Sequence, residues 1–190
     1  MSLTLLIILG AIALIGYFWY VSIIGKRNKA LEALSTIDVQ LKMRLDLVPN
    51  ILKIAQKFMD HEKALLTEIT ALREKADKTY DRKDQKAVED HLAAAEKLTS
   101  KMGQLMVQVE NYPDLKSDAT MVQAMQTYNE AEAQISAARR FYNSAVTALN
   151  NAVQIFPGNL IAGIAKVEPM PFFEAPANVH EPVNADDYLG

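Results

Sequence analysis

Apolar positions fall into distinct regimes along the chain. From Leu3 to Ile24 there is no charged side chain, a run worth about 33 Å of helix, against a hydrocarbon core of about 30 Å. Tyr17, Trp19 and Tyr20 lie near its C-terminal end, where amphipathic rings favour the headgroup level, and Lys26, Arg27 and Lys29 follow. The pattern predicts a membrane anchor over residues 1–25. A cleaved signal peptide is the competing reading. It would want a basic segment before a shorter apolar core and a small-residue cleavage site after it, and here the basic cluster is on the other side. By the positive-inside rule the N-terminus lies outside, leaving only Met1 and Ser2 there, and residues 26 onward lie in the cytoplasm. The three cations either set topology alone or also hold the helix foot against anionic lipid.

Beyond the anchor the apolar residues recur in steps of three and four. Leu31, Leu34, Leu41, Leu45, Val48, Leu52, Ala55, Met59, Leu66 and Ile69 predict one long helix from about Lys26 to Lys78, with gaps near Asp38 and Glu62. Pro49 removes a donor and crowds the Leu45 carbonyl, so a kink is expected there rather than a stop. A charged linker at Tyr80–Asp84 shows no packing pattern. A second helix follows with Val88, Leu92, Ala95, Leu98, Met102, Leu105 and Val109 on one face, and Asn111-Tyr112-Pro113-Asp114 ends it. A third, capped by Ser117 or Asp118, runs to about Ile155 on Met121, Met125, Tyr128, Ile135, Ala138, Tyr142, Ala145, Leu149 and Ala152. Short connections make neighbours antiparallel. The expected fold is all-α: a transmembrane helix, an up-and-down bundle of three long helices over residues 26–156, and an extended Pro-rich tail over 157–190.

Two of these helices carry a polar line at the same spacing as the apolar one. The first has Asp38, Gln40, Arg44, Asp46 and Asn50, then His61 and Glu62; the third has Asn129, Glu132, Arg139, Asn143 and Asn150. A solvated face is the plain explanation. Asparagine is a weak helix former, however, and exposed faces favour Lys, Glu and Gln, so this many Asn and Arg suggests hydrogen bonds between helices that fix register. A chemical site is the third reading.

Composition narrows the chemistry. The 190 residues are 50% apolar and 23% charged, with a formal net charge of −3 and no cysteine. Disulfides, thiolate zinc sites, cysteine nucleophiles, c-type haem attachment and lipidated N-terminal cysteines are excluded. A slightly acidic chain has no field to attract a phosphate backbone, so no nucleic acid partner is expected. A di-iron bundle needs Glu-x-x-His, but Phe58 precedes His61 and Val88 precedes His91 at that spacing. The zinc helix motif fails because Leu65 stands where the second histidine belongs. No Walker loop, G-x-S-x-G or G-x-G-x-x-G is present. The His61-Glu62 pair, set near Arg44 or Arg139, is the strongest catalytic candidate left. A structural ion pair or surface dipeptide is its plainer reading. No cofactor or metal is expected.

The run from Ile37 to Asn50, IDVQLKMRLDLVPN, followed by His61-Glu62, resembles the signature of the bacterial LemA family. Glu110 to Lys116 (ENYPDLK) is similar to that family's turn. Glu132, Ile135, Ala138-Arg139, Tyr142-Asn143, Asn150, Phe156-Pro157, Asn159 and Phe172-Phe173 are similar to its last helix and exit. Ser35 departs from the aromatic expected in many members. The resemblance implies a single-pass protein of the bacterial cytoplasmic membrane with a soluble helical bundle, and it supplies no catalytic residues. Some relatives occur in the magnetosome system, which points toward membrane organisation.

The tail holds five of the seven prolines, yet Ile161, Ile164, Val167, Met170, Phe172 and Phe173 are too apolar to leave wet. It is expected to pack on its own bundle or on a neighbouring copy, the neighbour being slightly favoured, with Phe156, Phe172 and Phe173 in contact. The function expected is a membrane-tethered, self-associating scaffold without catalysis, its partners being the lipid membrane and other copies of the chain. An adaptor or sensor docking another membrane protein is the alternative, and an enzyme using His61 and Glu62 is the third class.

Overall fold

A computed structural model describes residues 3–59 and 61–174, and every regular element among them is a helix. In chain order these are α1 (Leu3–Ala55), α2 (Lys63–Ala76), α3 (Gln85–Val109), α4 (Pro113–Ser117), α5 (Ala119–Gln154) and α6 (Gly158–Ala165). α1 is one helix of 53 residues, about 80 Å long. Its apolar N-terminal stretch is long and apolar enough to cross a membrane and lies almost wholly outside the bundle. From Ile23 the same helix turns one face inward, through Ala30, Leu34, Ile37, Leu41, Leu45, Val48, Leu52 and Ala55.

The helix expected to run to Lys78 breaks at Gln56. The Lys57 and Phe58 amides bond carbonyls three residues back, and a turn leads to α2. The gap in the apolar line at Glu62 is the sequence mark of this break. α2 doubles back beside the end of α1, burying Leu66 and Ile69 against it. Pro49 stays inside α1. It has no N–H to offer the Leu45 carbonyl, and Arg73 of α2 supplies one, its Nε donating to that oxygen at 3.0 Å. The lost bond within one helix is thus replaced by a bond between two.

Asp84 caps α3, its carboxylate accepting from the Lys86 and Ala87 amides. Asp118 caps α5, accepting from Met121 N at 2.9 Å. The expected turn at Asn111–Asp114 carries the short α4, with Pro113 in its first turn. α5 returns antiparallel along α1 as its closest neighbour. Ala30 and Ala33 on one helix and Ala138, Ala145 and Ala152 on the other keep the side chains small at this contact. α2 pairs with α3. The apolar core has two parts. The part near the anchor joins α1, α3 and α5 with α6 and the tail. The far part joins the same three helices with α2 and α4.

The C-terminal segment holds more order than an extended tail. Residues 158–165 form α6, and Lys166 closes it in the left-handed conformation, φ 51° and ψ 46°. Residues 166–174 then run along their own bundle, one of the two supports expected for the tail. Asn150 exchanges two bonds of 2.9 Å with the Met170 amide and carbonyl, Asn143 does the same with Phe173, and the Tyr142 hydroxyl donates to Pro171 O at 2.7 Å. Each asparagine side chain offers one donor and one acceptor, as the edge of a strand does, so the extended backbone is satisfied without a sheet. Phe173 is buried, whereas Phe172 and Phe156 are exposed. Residues 175–190 of the expected tail lie outside the described residues.

Candidate functional site: polar clusters inside the bundle

Arg44 is the largest polar side chain in the core, 1% exposed. Burying a guanidinium costs several kcal/mol unless its donors are met. Three partners meet the donors of its two terminal nitrogens, while Nε has no partner among the described residues: Nη1 donates to Glu132 Oε1 at 2.7 Å and to Thr99 Oγ1, and Nη2 donates to the Ala95 carbonyl at 3.0 Å. One cation therefore joins α1, α3 and α5. Beside it Arg139 Nη2 donates to Glu96 Oε2 at 3.0 Å, and the same guanidinium sits 4.2 Å above the Phe173 ring. Arg139 thus ties α3 and α5 to the tail. Burial raises the Glu96 carboxyl above its ordinary range and outweighs the charges of Arg139 and Arg44, while Glu132 adds to the rise. The Tyr128 hydroxyl is likewise pushed up by burial, Arg44 opposing and Glu132 adding.

A second cluster centres on Asp38. The Tyr80 hydroxyl donates to Oδ1 at 2.8 Å, Arg82 Nε donates to Oδ2 at 2.7 Å, and His91 Nε2 lies 3.5 Å from Oδ1. The Tyr80 and His91 rings stack at 4.1 Å between centroids. Burial works to raise the Asp38 carboxyl, but the hydrogen bonds of His91 and Tyr80 and the charges of Arg82 and His91 outweigh it and hold it below the ordinary range. The Tyr80 hydroxyl is pushed up by burial and then by its bond to Asp38. The linker expected to lack packing therefore docks α2–α3 onto α1. A cleft of about 590 Å³ opens at this cluster, with Lys42, Asp77 and Lys78 on its rim.

The expected polar line thus divides. Asp38, Arg44, Glu132, Arg139 and Asn143 bind other elements. Gln40 is half-buried and its side chain makes no hydrogen bond among the described residues; Asn50 and His61 are exposed. Asp46 forms a surface pair with Lys42 at 3.3 Å. Glu62 stands at the start of α2 without capping it through its side chain. His61 and Glu62 share no bond with Arg44 or Arg139 among the described residues. Among those residues no group of three or more His, Asp or Glu could hold a metal ion. The partners Thr99, Glu96, Tyr80, Arg82 and His91 escaped the sequence reading. Helical spacing ranks faces within a helix but does not say which turn of one helix meets which turn of another.

Of the residues expected at the membrane interface, Tyr17 and Tyr20 are exposed on α1. The Trp19 ring lies against Gly158 of α6. Lys26 Nζ donates to Ser22 Oγ at 2.7 Å, Arg27 is half-buried, and Lys29 Nζ stands 6.0 Å from the Phe141 ring centroid.

An all-helical bundle continuous with an N-terminal helix long and apolar enough to cross a membrane fits a membrane-associated helical-bundle protein. Residues 33–186 match the LemA family, and the chain belongs to it. The family is not a known enzyme family. No curated protein matches the chain.

Arg44→Met strands Glu132 without its cation and is expected to lower stability by about 3 kcal/mol. Adding Glu132→Leu is expected to return at least about 1 kcal/mol of that loss. Chemical denaturation of the full-length protein in micelles measures both, and strictly additive losses would contradict the pairing. Asp38 titrates lower when folded than unfolded, so its contribution is fully present above the ordinary carboxylate range and is lost as pH falls from there through the lowered folded value. Asp38→Asn is therefore expected to cost about 1–3 kcal/mol near neutral pH and progressively less as pH falls below the ordinary carboxylate range. An equal cost at neutral and acid pH would show that its charge is not what matters.

Proposed function

We propose that this chain is a non-catalytic scaffold of a bacterial cytoplasmic membrane, anchored by the first turns of α1 with its bundle on the cytoplasmic side. The observation that carries this reading is the continuity of α1. The rod that would sit in lipid is the same rod that forms one wall of the bundle core, so the body is held at a set height and angle above the bilayer. The buried charges serve structure in this reading. Arg44, Arg139 and Asp38 each have their charge spent on neighbouring helices.

Copies held in one membrane are already concentrated in two dimensions, which favours weak lateral contacts. Exposed Val39 and Met43 one turn apart on α1, and Val107 on α3, offer apolar surface for such contacts. With residues 166–174 engaged on their own bundle, self-association in this reading uses the lateral surface. A second reading, an adaptor for another membrane protein, is favoured by a groove of about 690 Å³ at the end of the bundle remote from the anchor. Met106, Met121 and Met125 line it, and such pliable side chains suit a helix of varied sequence.

A single Met43→Cys in this cysteine-free chain tests the proposal in native membranes. A membrane-impermeant maleimide is expected to label it in inverted vesicles and not in intact cells, and a bifunctional thiol reagent is expected to give dimers. Labelling from outside would contradict the sidedness. Extraction of the chain by alkaline carbonate would contradict the span. Absence of cross-linked species at Val39, Met43 and Val107 alike would contradict self-association.

A further inference from the structure

Residues 141–165 carry no charge, the longest such run outside the anchor. The structure places the end of this run beside the anchor. Val153 and Ala162 share a core with Ile23, and Trp19 lies against Gly158. α6 therefore stands level with the C-terminal end of the apolar stretch of α1. Its outer side is bare: Leu160 is 61% exposed, Ile164 82% and the preceding Phe156 72%. Water would not favour this surface, whereas the boundary between headgroups and acyl chains would.

Next to it lies a small cleft of about 230 Å³ between α1, the α2–α3 linker and the segment after α6. Arg27, Arg82, Lys83 and Lys166 line it, with Glu168 as the one carboxylate. Arg82 is matched by Asp38. Arg27, Lys83 and Lys166 have no ion-pair partner among the described residues, in a chain whose net charge is −3. Lys166 is held there in the left-handed conformation that C-terminal helix ends usually give to glycine or asparagine. Three elements distant in sequence thus bring unmatched cations to one cleft, whose Arg27 stands three residues past Ile24 at the end of the apolar stretch of α1.

We propose that this cleft binds the phosphate of an anionic lipid headgroup, with α6 and Phe156 resting in the interface beside it. The proposal rests on the reading that α1 spans the membrane, and it adds a headgroup preference to that reading. It also gives the basic residues after the anchor a task beyond topology. A basic pocket at the end of a transmembrane helix is the usual chemistry for such lipids, each cation adding a modest gain close to the surface.

Trp19 is the one tryptophan of the chain and lies against α6, so its fluorescence reports the lipids next to the foot. The full-length protein is reconstituted into vesicles containing equal mole fractions of phosphatidylglycerol and phosphatidylcholine, with one or the other brominated on its acyl chains. Brominated phosphatidylglycerol is expected to quench Trp19 as if it bound several-fold better than brominated phosphatidylcholine. Lys83→Gln and Lys166→Gln are each expected to cut that preference, by up to about fivefold for a cation at the surface. Val122→Gln, at the far end of α5, is expected to leave it unchanged. Equal quenching by the two lipids in the unmodified protein would overturn the proposal while leaving the span intact. Loss of the preference on adding inorganic phosphate would overturn it in favour of a soluble anion site. No quenching by either lipid would instead overturn the spanning reading. Circular dichroism of each variant separates a lost preference from a lost fold.

Discussion

A single helix serves two solvents in this protein, and the rest of the structure depends on that constraint. Over its first turns α1 is bare on all sides, and from Ile23 it shows one face to a core. Away from proline an unbroken helix curves only gently, so every element that packs on its inner part is placed relative to its outer part. α5 must return along it, α6 must come to rest level with Trp19, and the segment after α6 must run back between them. Gly25 lies in the middle of the rod, and a Cβ there would meet nothing within 4 Å. The helix holds through this point by its own backbone bonds.

The polar residues complete what apolar packing leaves open. Ridges of Leu, Ala and Ile allow helices to slide by a turn with small penalty, but a buried guanidinium does not. Arg44 finds Glu132, Thr99 and the Ala95 carbonyl in one register of α1, α3 and α5, and a shifted register would leave a buried charge unmet. Arg73 does similar duty for Pro49, which would otherwise leave the Leu45 carbonyl without a donor. Asn143 and Asn150 do it for the tail. The positions at which proline or asparagine stands in a helix interior, or an arginine is buried, include those at which one element recognises another.

Much of the fold was legible from spacing alone. All seven apolar residues assigned to the inner face of the second helix are buried, and Asp118 caps α5 as its chemistry suggests. The charge-free opening run was plain, and so was the family. The break after Ala55 was marked by a gap at Glu62 but read as continuous, because a local pattern does not say that a helix will fold back to cover its own end. The helix at Gly158–Ala165 was not legible, because the prolines on either side of it argue for extended backbone. The joint role of Tyr80 and His91 was not legible because it exists only once the fold stacks their rings beside Asp38.

The central claim is mechanical: lipid and bundle are joined by one unbroken rod. It is tested most directly by pulsed electron spin measurement of the distance between labels at Ile12→Cys and Met43→Cys, both exposed on α1, in the full-length protein in lipid nanodiscs. A continuous helix predicts a narrow distribution centred at about 46 Å, the rise of the intervening turns. A broad distribution, or one centred well below that value, would mean that the rod bends at Gly25 and that the bundle is not fixed above the membrane.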